Sequence, residues 1–524
     1  MLKIKNLGTN SQLLYLKKTI LPFLLSLFCG GTMTSLSCQN LADTRPMPLT
    51  EKTPEPKPHA YLEDAVLRLV NDSVLRRGQS GVVVMDVLSG QVLAQHNPAM
   101  SLIPASNMKI VSTAAGLGLL GVDFRYRTDL QYDGMIKDAV LYGNLFIKGY
   151  GDPTLASPLM DSVARLSAVL DSFGIAVRRL GIKKIVGKVV GDGSAFEPST
   201  ALPTWLWEDL GNYYGAGPSG LNFHENMYDL NFLQSPSAGS PPSVLSLSPH
   251  VPHFNLINEV KSTTGSGDDA YIFSVPYSTT GIVRGTIPAG TGQFSISGAL
   301  PDPPLFAAWH MRKTLLDLGI EVTDSISTQL IWEQKALPIL PRQTFFTWYS
   351  PSLADIVKKA NVESVNLYCE AILRTIALQK SGYGSNQEGL KWVRQYWQSK
   401  GVDTEGMFMQ DGSGLSPRNG ISPMQLTTML RAVAMDTAIF QAFYFSLPEP
   451  AKSGTLKGMF KNTPSVYGRL RAKSGTITRV KSYSGYVTTS EGRLLAFSAI
   501  CNNFTCSQRD IRRKLEAFMV DLCR

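Results

Sequence analysis

The sequence predicts an α/β (α+β) protein: a three-layer αβα sandwich assembled from both ends of the chain, with a large mainly β insertion between its halves. Three observations predict it. The chain has 524 residues, too many for one compact core, so two or three domains are expected. Residues 61–125 and 343–524 both carry helical spacing and strand alternation. Residues 126–342 instead show short strands broken by turns at Gly143-Asn144, Gly151-Asp152 and Gly191-Asp192.

Residues 1–37 read as a secretory signal peptide. Lys3, Lys5, Lys17 and Lys18 precede the apolar run Ile20 to Phe28, and no acidic residue comes before Asp43. The run is too short to span a bilayer permanently. Export to the periplasm or cell envelope is therefore expected. Cys38 follows Ser35-Leu36-Ser37, a loose match to a lipoprotein processing site, which makes Cys38 a candidate lipid anchor and the protein a candidate membrane-tethered lipoprotein. Residues 38–60 carry Pro46, Pro48, Pro54, Pro56 and Pro58 and read as an extended tether.

Tyr61 to Arg77 has apolar residues at Leu62, Val66, Leu69, Val70 and Val74, which is helical spacing. Gly81 to Val87 and Gln91 to Gln95 are strand-like and meet at Ser89-Gly90, which predicts a hairpin. Ile110 to Leu120, stopped by Gly121, reads as a buried helix entered at Pro104. Within the insertion, helices are expected over Leu155 to Phe173 and Leu305 to Leu318. Strands are expected over Tyr271 to Val275, Ile282 to Ile287 and Phe294 to Ile296, and a Pro/Ser-rich loop over Ser235 to Pro249. Ser352 and Asp355 have capping-box spacing ahead of an apolar face at Leu353, Ile356, Val357 and Ala360. Further helices follow over Leu367 to Leu378 and Ser385 to Lys400. Alternation then predicts strands over Arg471 to Val480, Ser482 to Thr489 and Arg493 to Cys501, before an amphipathic helix from Asp510 to Leu522.

Composition narrows the function classes. The formal net charge is +9, four of it in the leader, and the remainder suits an acidic envelope surface or an ordinary solvated one. Basic and aromatic residues do not interleave as nucleic-acid binders require. The six cysteines form no Cys/His array with metal spacing, so no metal or cofactor is expected. Cys369 sits in an apolar helical stretch and reads as a buried thiol, while pairing of Cys501 with Cys506 stays open.

Three short motifs carry chemistry. Ser106-Asn107-Met108-Lys109 places a hydroxyl and an amine on one helical face. Serine needs a base within hydrogen-bond reach, and a buried lysine with a lowered pKa can be that base. Ser364-Val365-Asn366 lies between two helices and offers a second hydroxyl for proton relay and an amide for a substrate carbonyl. Lys473-Ser474-Gly475-Thr476 opens a strand. Its cation and hydroxyl can bind a carboxylate, its glycine can admit substrate backbone, and the Thr476 and Ser106 amides can form an oxyanion hole. Each motif alone has a plain alternative, such as a helix-capping serine at Ser364. Asp411 and Ser413 read equally as cleft residues or as a turn.

Together, in this order and this far apart, the motifs resemble those of the D-alanyl-D-alanine carboxypeptidase/endopeptidase family, the class C low-molecular-mass penicillin-binding proteins. Gly149 to Leu155, Asn366 to Glu370, Asp411 to Ser416, Gly454 to Leu456 and Ser484 to Val487 are similar too, over roughly Tyr61 to Arg524. The resemblance implies a β-lactamase/transpeptidase-like sandwich. It implies Ser106 as acylated nucleophile, Lys109 as its base, Ser364 as proton donor to the leaving D-alanine, and Asn366 holding the peptide carbonyl. Lys473 and Ser474 would bind the substrate carboxylate. The implied partners are peptidoglycan peptides as substrate and β-lactams as inhibitors. Ser474 stands where the family usually has threonine, and Val365 where it often has aspartate or serine. A β-lactamase or esterase with the same site, or a non-catalytic wall-binding protein, are the alternatives. The long insertion and the lack of a recognisable Glu-x-x-x-Asn deacylation loop weigh against the β-lactamase.

Overall fold

Period-two alternation builds the central sheet. In Leu494–Asn502, Leu495, Phe497, Ala499 and Cys501 join one apolar core, while Ala496 and Ile500 join another on the opposite face. The computed structural model describes residues 59–524. Within them this strand lies at the middle of a five-stranded antiparallel sheet. Its order is Leu470–Ile477, Val480–Thr488, Leu494–Asn502, Gln79–Asp86 and Val92–His96. The leader, Cys38 and the tether, apart from His59 and Ala60, lie outside the described residues.

Helices from the two chain ends cover one face. Ala60–Val70 and Gln508–Leu522 pack on it through Leu62, Leu69, Ile511 and Leu515, and Arg68 pairs with Asp521 at 2.7 Å. The other face carries Met108–Leu120, Leu353–Val362, Asn366–Ser381, Asn386–Ser399 and Pro423–Ala434. This is the expected three-layer sandwich. The small residues of Met108–Leu120 let its neighbours close in: a side chain at Gly116 would collide with Ile372, and one at Gly118 with the Tyr396 ring.

Between the halves, strands drawn only from residues 127–349 form four further sheets. Strand Gln343–Tyr349, expected on the sandwich side of a boundary at residue 342, instead pairs antiparallel with Arg127–Tyr132. The chain thus leaves and returns side by side. Three local expectations also change. The first helix ends at Val70, where Asp72 caps a separate turn by accepting from the Val74 amide at 3.1 Å. Leu155 to Arg165 is not helical: Pro153 and Pro158 and the left-handed Ala156 break it, and the helix runs Leu166–Arg179. The Pro/Ser-rich stretch contains the strand Ser243–Ser248, paired with Met227–Leu233.

Among the described residues all four cysteines are free thiols, with Cys369 buried as expected. No helix there is long and apolar enough to cross a membrane.

Candidate active site

The Ser106 turn is set by its neighbours. Ala105–Asn107 form one 3-10 turn that runs directly into Met108–Leu120. Ala105 is left-handed at φ +47°, and Gly414 fits so tightly against its carbonyl that no side chain could stand there. The result leaves Ser106 half-buried at a helix entrance, with Lys109 wholly buried one turn on.

Lys109 Nζ donates to Ser106 Oγ at 3.1 Å, to Asn366 Oδ1 at 2.5 Å and to the Ser413 carbonyl at 2.8 Å. An ammonium has three donors, and these contacts use all three. Burial pulls the Lys109 pKa below its ordinary value, while Cys369, Asp411 and Glu370 push it back up. A neutral amine would keep two N–H bonds, to Asn366 and Ser413, and turn its lone pair on the Ser106 hydroxyl.

Lys473 makes a second pair. It stands on Leu470–Ile477, and its Nζ donates to Ser364 Oγ at 2.9 Å and to the Ser474 carbonyl at 2.8 Å. Burial first, then the neighbouring Lys109 charge, hold its pKa well below the ordinary lysine value. Ser364 is left-handed at φ +61°, where the chain turns from Leu353–Val362 into Asn366–Ser381. The structure therefore brings together Ser106, Lys109, Ser364, Asn366 and Lys473.

Gly475 serves a different contact from the one expected. A side chain there would strike the Pro104 carbonyl and Ser482 Oγ and come 3.1 Å from the Ser106 nitrogen. Its bareness seats the Ser106 turn against the strand. Asn107 completes that seam, its amide nitrogen 2.8 Å from the Lys473 carbonyl and its oxygen facing Ser484. Thr476 Oγ1 accepts from Lys481 Nζ at 2.6 Å. The Ala472 amide donates outward to the Pro448 carbonyl, so by strand period the Thr476 amide faces the same free edge.

Asp411 and Ser413 form a turn that serves the lysine. Asp411 accepts from the Gly414 and Ser416 amides, Asn419 Nδ2 and Trp205 Nε1, at 2.6–2.9 Å. Glu370 accepts from the Gly412 and Ser413 amides. Burial and the Asp411 charge raise the Glu370 pKa. Ser413 faces Lys109 with its carbonyl, while its hydroxyl accepts from the Leu415 amide.

Three contributors had no role assigned from sequence. Tyr214, in the insertion, accepts from Asn366 Nδ2 at 2.7 Å through its backbone carbonyl. Trp205 holds Asp411. Glu370 is one turn after Asn366 on the same helix face, a spacing that could have flagged it. A Glu-x-x-x-Asn spacing does occur at Glu208 to Asn212, within the insertion. There Asn212 Nδ2 donates to the Glu208 carbonyl at 2.6 Å and Asn212 Oδ1 accepts from the Ile272 amide at 3.1 Å, which is a structural tie within the insertion.

The chain is similar to known proteins over most of its length. The chain is 27% identical over 454 residues to the D-alanyl-D-alanine carboxypeptidase of Actinomadura sp. (strain R39), covering 84% of this chain and 81% of that protein. It is 23% identical over 448 residues to the D-alanyl-D-alanine carboxypeptidase DacB of Haemophilus influenzae, covering 83% and 87%. The crystal structure of penicillin binding protein 4 from Haemophilus influenzae has the same fold, with a TM-score of 0.75 at 22% identity over 88% of this chain and 98% of that one. Residues 62–522 match the D-Ala-D-Ala carboxypeptidase 3 (S13) family as a whole, and the chain belongs to that family.

Proposed function

We propose that the protein is an exported serine-type D-Ala-D-Ala carboxypeptidase that acts on peptidoglycan peptides through an acyl-enzyme on Ser106, and that penicillins acylate the same serine. One observation carries the reading: a wholly buried lysine donates to both Ser106 and Asn366.

In this mechanism neutral Lys109 takes the Ser106 proton as Oγ attacks the penultimate D-alanyl carbonyl. The amides of Ser106 and Thr476 stabilise the oxyanion. Ser364, held by Lys473, gives its proton to the leaving amine. Lys473 and Ser474, beside Gly475 at the strand edge, bind the terminal carboxylate. Asn366 holds the peptide carbonyl with the Nδ2 hydrogen that Tyr214 does not take. Asp411 and Ser413 position Lys109. The catalytic body comprises residues 61–125 and the chain after Tyr349, with the insertion contributing its Tyr214 carbonyl to the cleft.

The relatives named as carboxypeptidases support the activity, and the β-lactam complex of penicillin binding protein 4 from Haemophilus influenzae supports inhibitor binding. Export follows from the leader, and Cys38 is proposed as its lipid anchor; release of the Cys38→Ala protein from the membrane fraction tests that anchor. The activity is tested by D-alanine release from a peptide ending in D-Ala-D-Ala. Wild type releases it, and Ser106→Ala reduces release to background. Unchanged release from Ser106→Ala rejects the reading.

A further inference from the structure

A cavity of about 160 Å³ lies where the insertion meets the loop between helices Asn366–Ser381 and Asn386–Ser399. It sits at the carboxyl ends of Val189–Asp192 and Ser327–Thr328, which pair parallel, and α/β sheets take ligands at that edge. Buried Phe196 lines it. Tyr277 and Tyr383 line it too, and at 43% and 45% exposed they stand at its mouth. The Tyr277 hydroxyl donates to the Pro198 carbonyl at 2.6 Å, which holds that ring in place. The volume is close to that of a cavity that takes benzene, so about six non-hydrogen atoms fit.

The lining is acidic, with Asp302, Glu197 and Glu333. Glu197 accepts from the Asn386 amide at 2.9 Å and faces Arg374 at 3.4 Å. Glu333 accepts from Gln329 Nε2 at 3.1 Å. Asp302 caps the helix Pro303–Asp317: its Oδ1 accepts from the Leu305 amide at 3.0 Å, while its Oδ2 has no partner among the described residues. Burial with no cation beside it raises the Asp302 pKa to about 6. An anion would find no free donor at this helix start. Pro303 and Pro304 have no N–H, and the Leu305 and Phe306 amides already bond to Asp302. Among the described residues, no three acidic, histidine or cysteine side chains stand close enough to share a metal ion.

We propose that this cavity is a second ligand site, which binds the ammonium end of an aliphatic primary amine. Carboxylates and aromatic faces are the groups that recognise such a cation. The ammonium meets Asp302 Oδ2, and the alkyl carbons lie against Phe196 and the two tyrosine rings. No residue of the proposed catalytic set lines the cavity. The site spans two parts of the protein, because Gly384, beside Tyr383, exchanges backbone hydrogen bonds with Ala195 and Glu197 of the insertion. A bound amine therefore braces the insertion against the end of the helix that begins at Asn366.

The test is calorimetric titration of the full chain with two amines, 1,5-diaminopentane and Nα-acetyl-lysine amide, and with 1-pentanol as the neutral control. Saturable binding of at least one amine is expected, with the alcohol bound at least tenfold more weakly. Asp302→Asn keeps the helix cap, since an asparagine oxygen also accepts from the amide, and removes only the charge. Amine affinity is expected to fall tenfold or more in that variant. Glu333→Gln, at an exposed position, is expected to weaken it about threefold, and it decides should Asp302→Asn fail to fold. Tighter binding of the diamine assigns the site to a free polyamine, and tighter binding of acetyl-lysine amide assigns it to a peptide side chain; either supports the proposal. No saturable binding of either amine, equal binding of 1-pentanol, or an affinity unchanged in the variants overturns it.

Discussion

A wholly buried lysine cannot keep its proton as easily as one in water, and the proposed reactivity of Ser106 rests on that displacement. The rate of penicillin acylation is therefore expected to rise with pH along a limb below the ordinary lysine value of 10.5, set by the lowered Lys109 pKa. Lys109→Arg stays cationic and is expected to lose roughly 10²–10⁴-fold in acylation rate; stopped-flow measurement across pH checks both. Gly475→Ala tests the seam instead. Its methyl group would press on the Pro104 carbonyl and the Ser106 nitrogen. A misplacement on the order of 1 Å costs about 10²-fold in rate, so acylation is expected to slow by about that factor while circular dichroism stays unchanged. The residues whose side chains are proposed to do the chemistry were legible in the sequence, because Ser-x-x-Lys and Ser-x-Asn are local spacings. Tyr214 was not, because it acts through a backbone carbonyl, which has no residue signature.

Among the elements, the turn from Asp411 to Ser416 carries the most for its length. One carboxylate gathers two amides, an asparagine and a tryptophan, and thereby fixes the Ser413 carbonyl on Lys109. Asp411→Ala strands those buried donors, each worth about 1–3 kcal/mol when left unpaired. A loss of roughly 3 kcal/mol or more in unfolding free energy is expected, with acylation slowed as well, by denaturant titration and penicillin labelling. An equal stability for wild type and variant contradicts that role. Elements with local signals were readable: Ser352 and Ser385 do cap the helices they precede, accepting from the Asp355 and Glu388 amides. Leu155 to Arg165 misled because its first apolar residues are buried for a different reason. Leu155 and Ala156 fill the insertion's core from a turn, not from a helix. Ser243–Ser248 was hidden by flanking proline and serine, and only its partner Met227–Leu233 gives it a place.

Across the whole molecule, the sandwich and the insertion meet at the cleft, and the sequence could show that an insertion existed without showing where it touches. Strand Gln343–Tyr349 reveals why its far boundary was misplaced: strand alternation is the same whichever sheet a strand joins. Glu225, from the insertion, accepts from Tyr368 of the sandwich. Burial raises its pKa from 4.5 to about 7, so the native state holds its proton where the unfolded chain has lost it. That stabilisation is fully present below pH 4.5 and is lost as pH rises through 7, roughly 3 kcal/mol in all. Glu225→Gln is expected to flatten the fall in Tm between pH 5 and 8, and an unchanged slope contradicts this. The central claim is that elements far apart in the chain assemble around one reactive serine. The most direct measurement is mass-spectrometric mapping of the adduct formed with a β-lactam. A single acyl group on the Ser106 peptide, absent from Ser106→Ala, is the expected result; an adduct on another residue, or one of equal yield in Ser106→Ala, would contradict it.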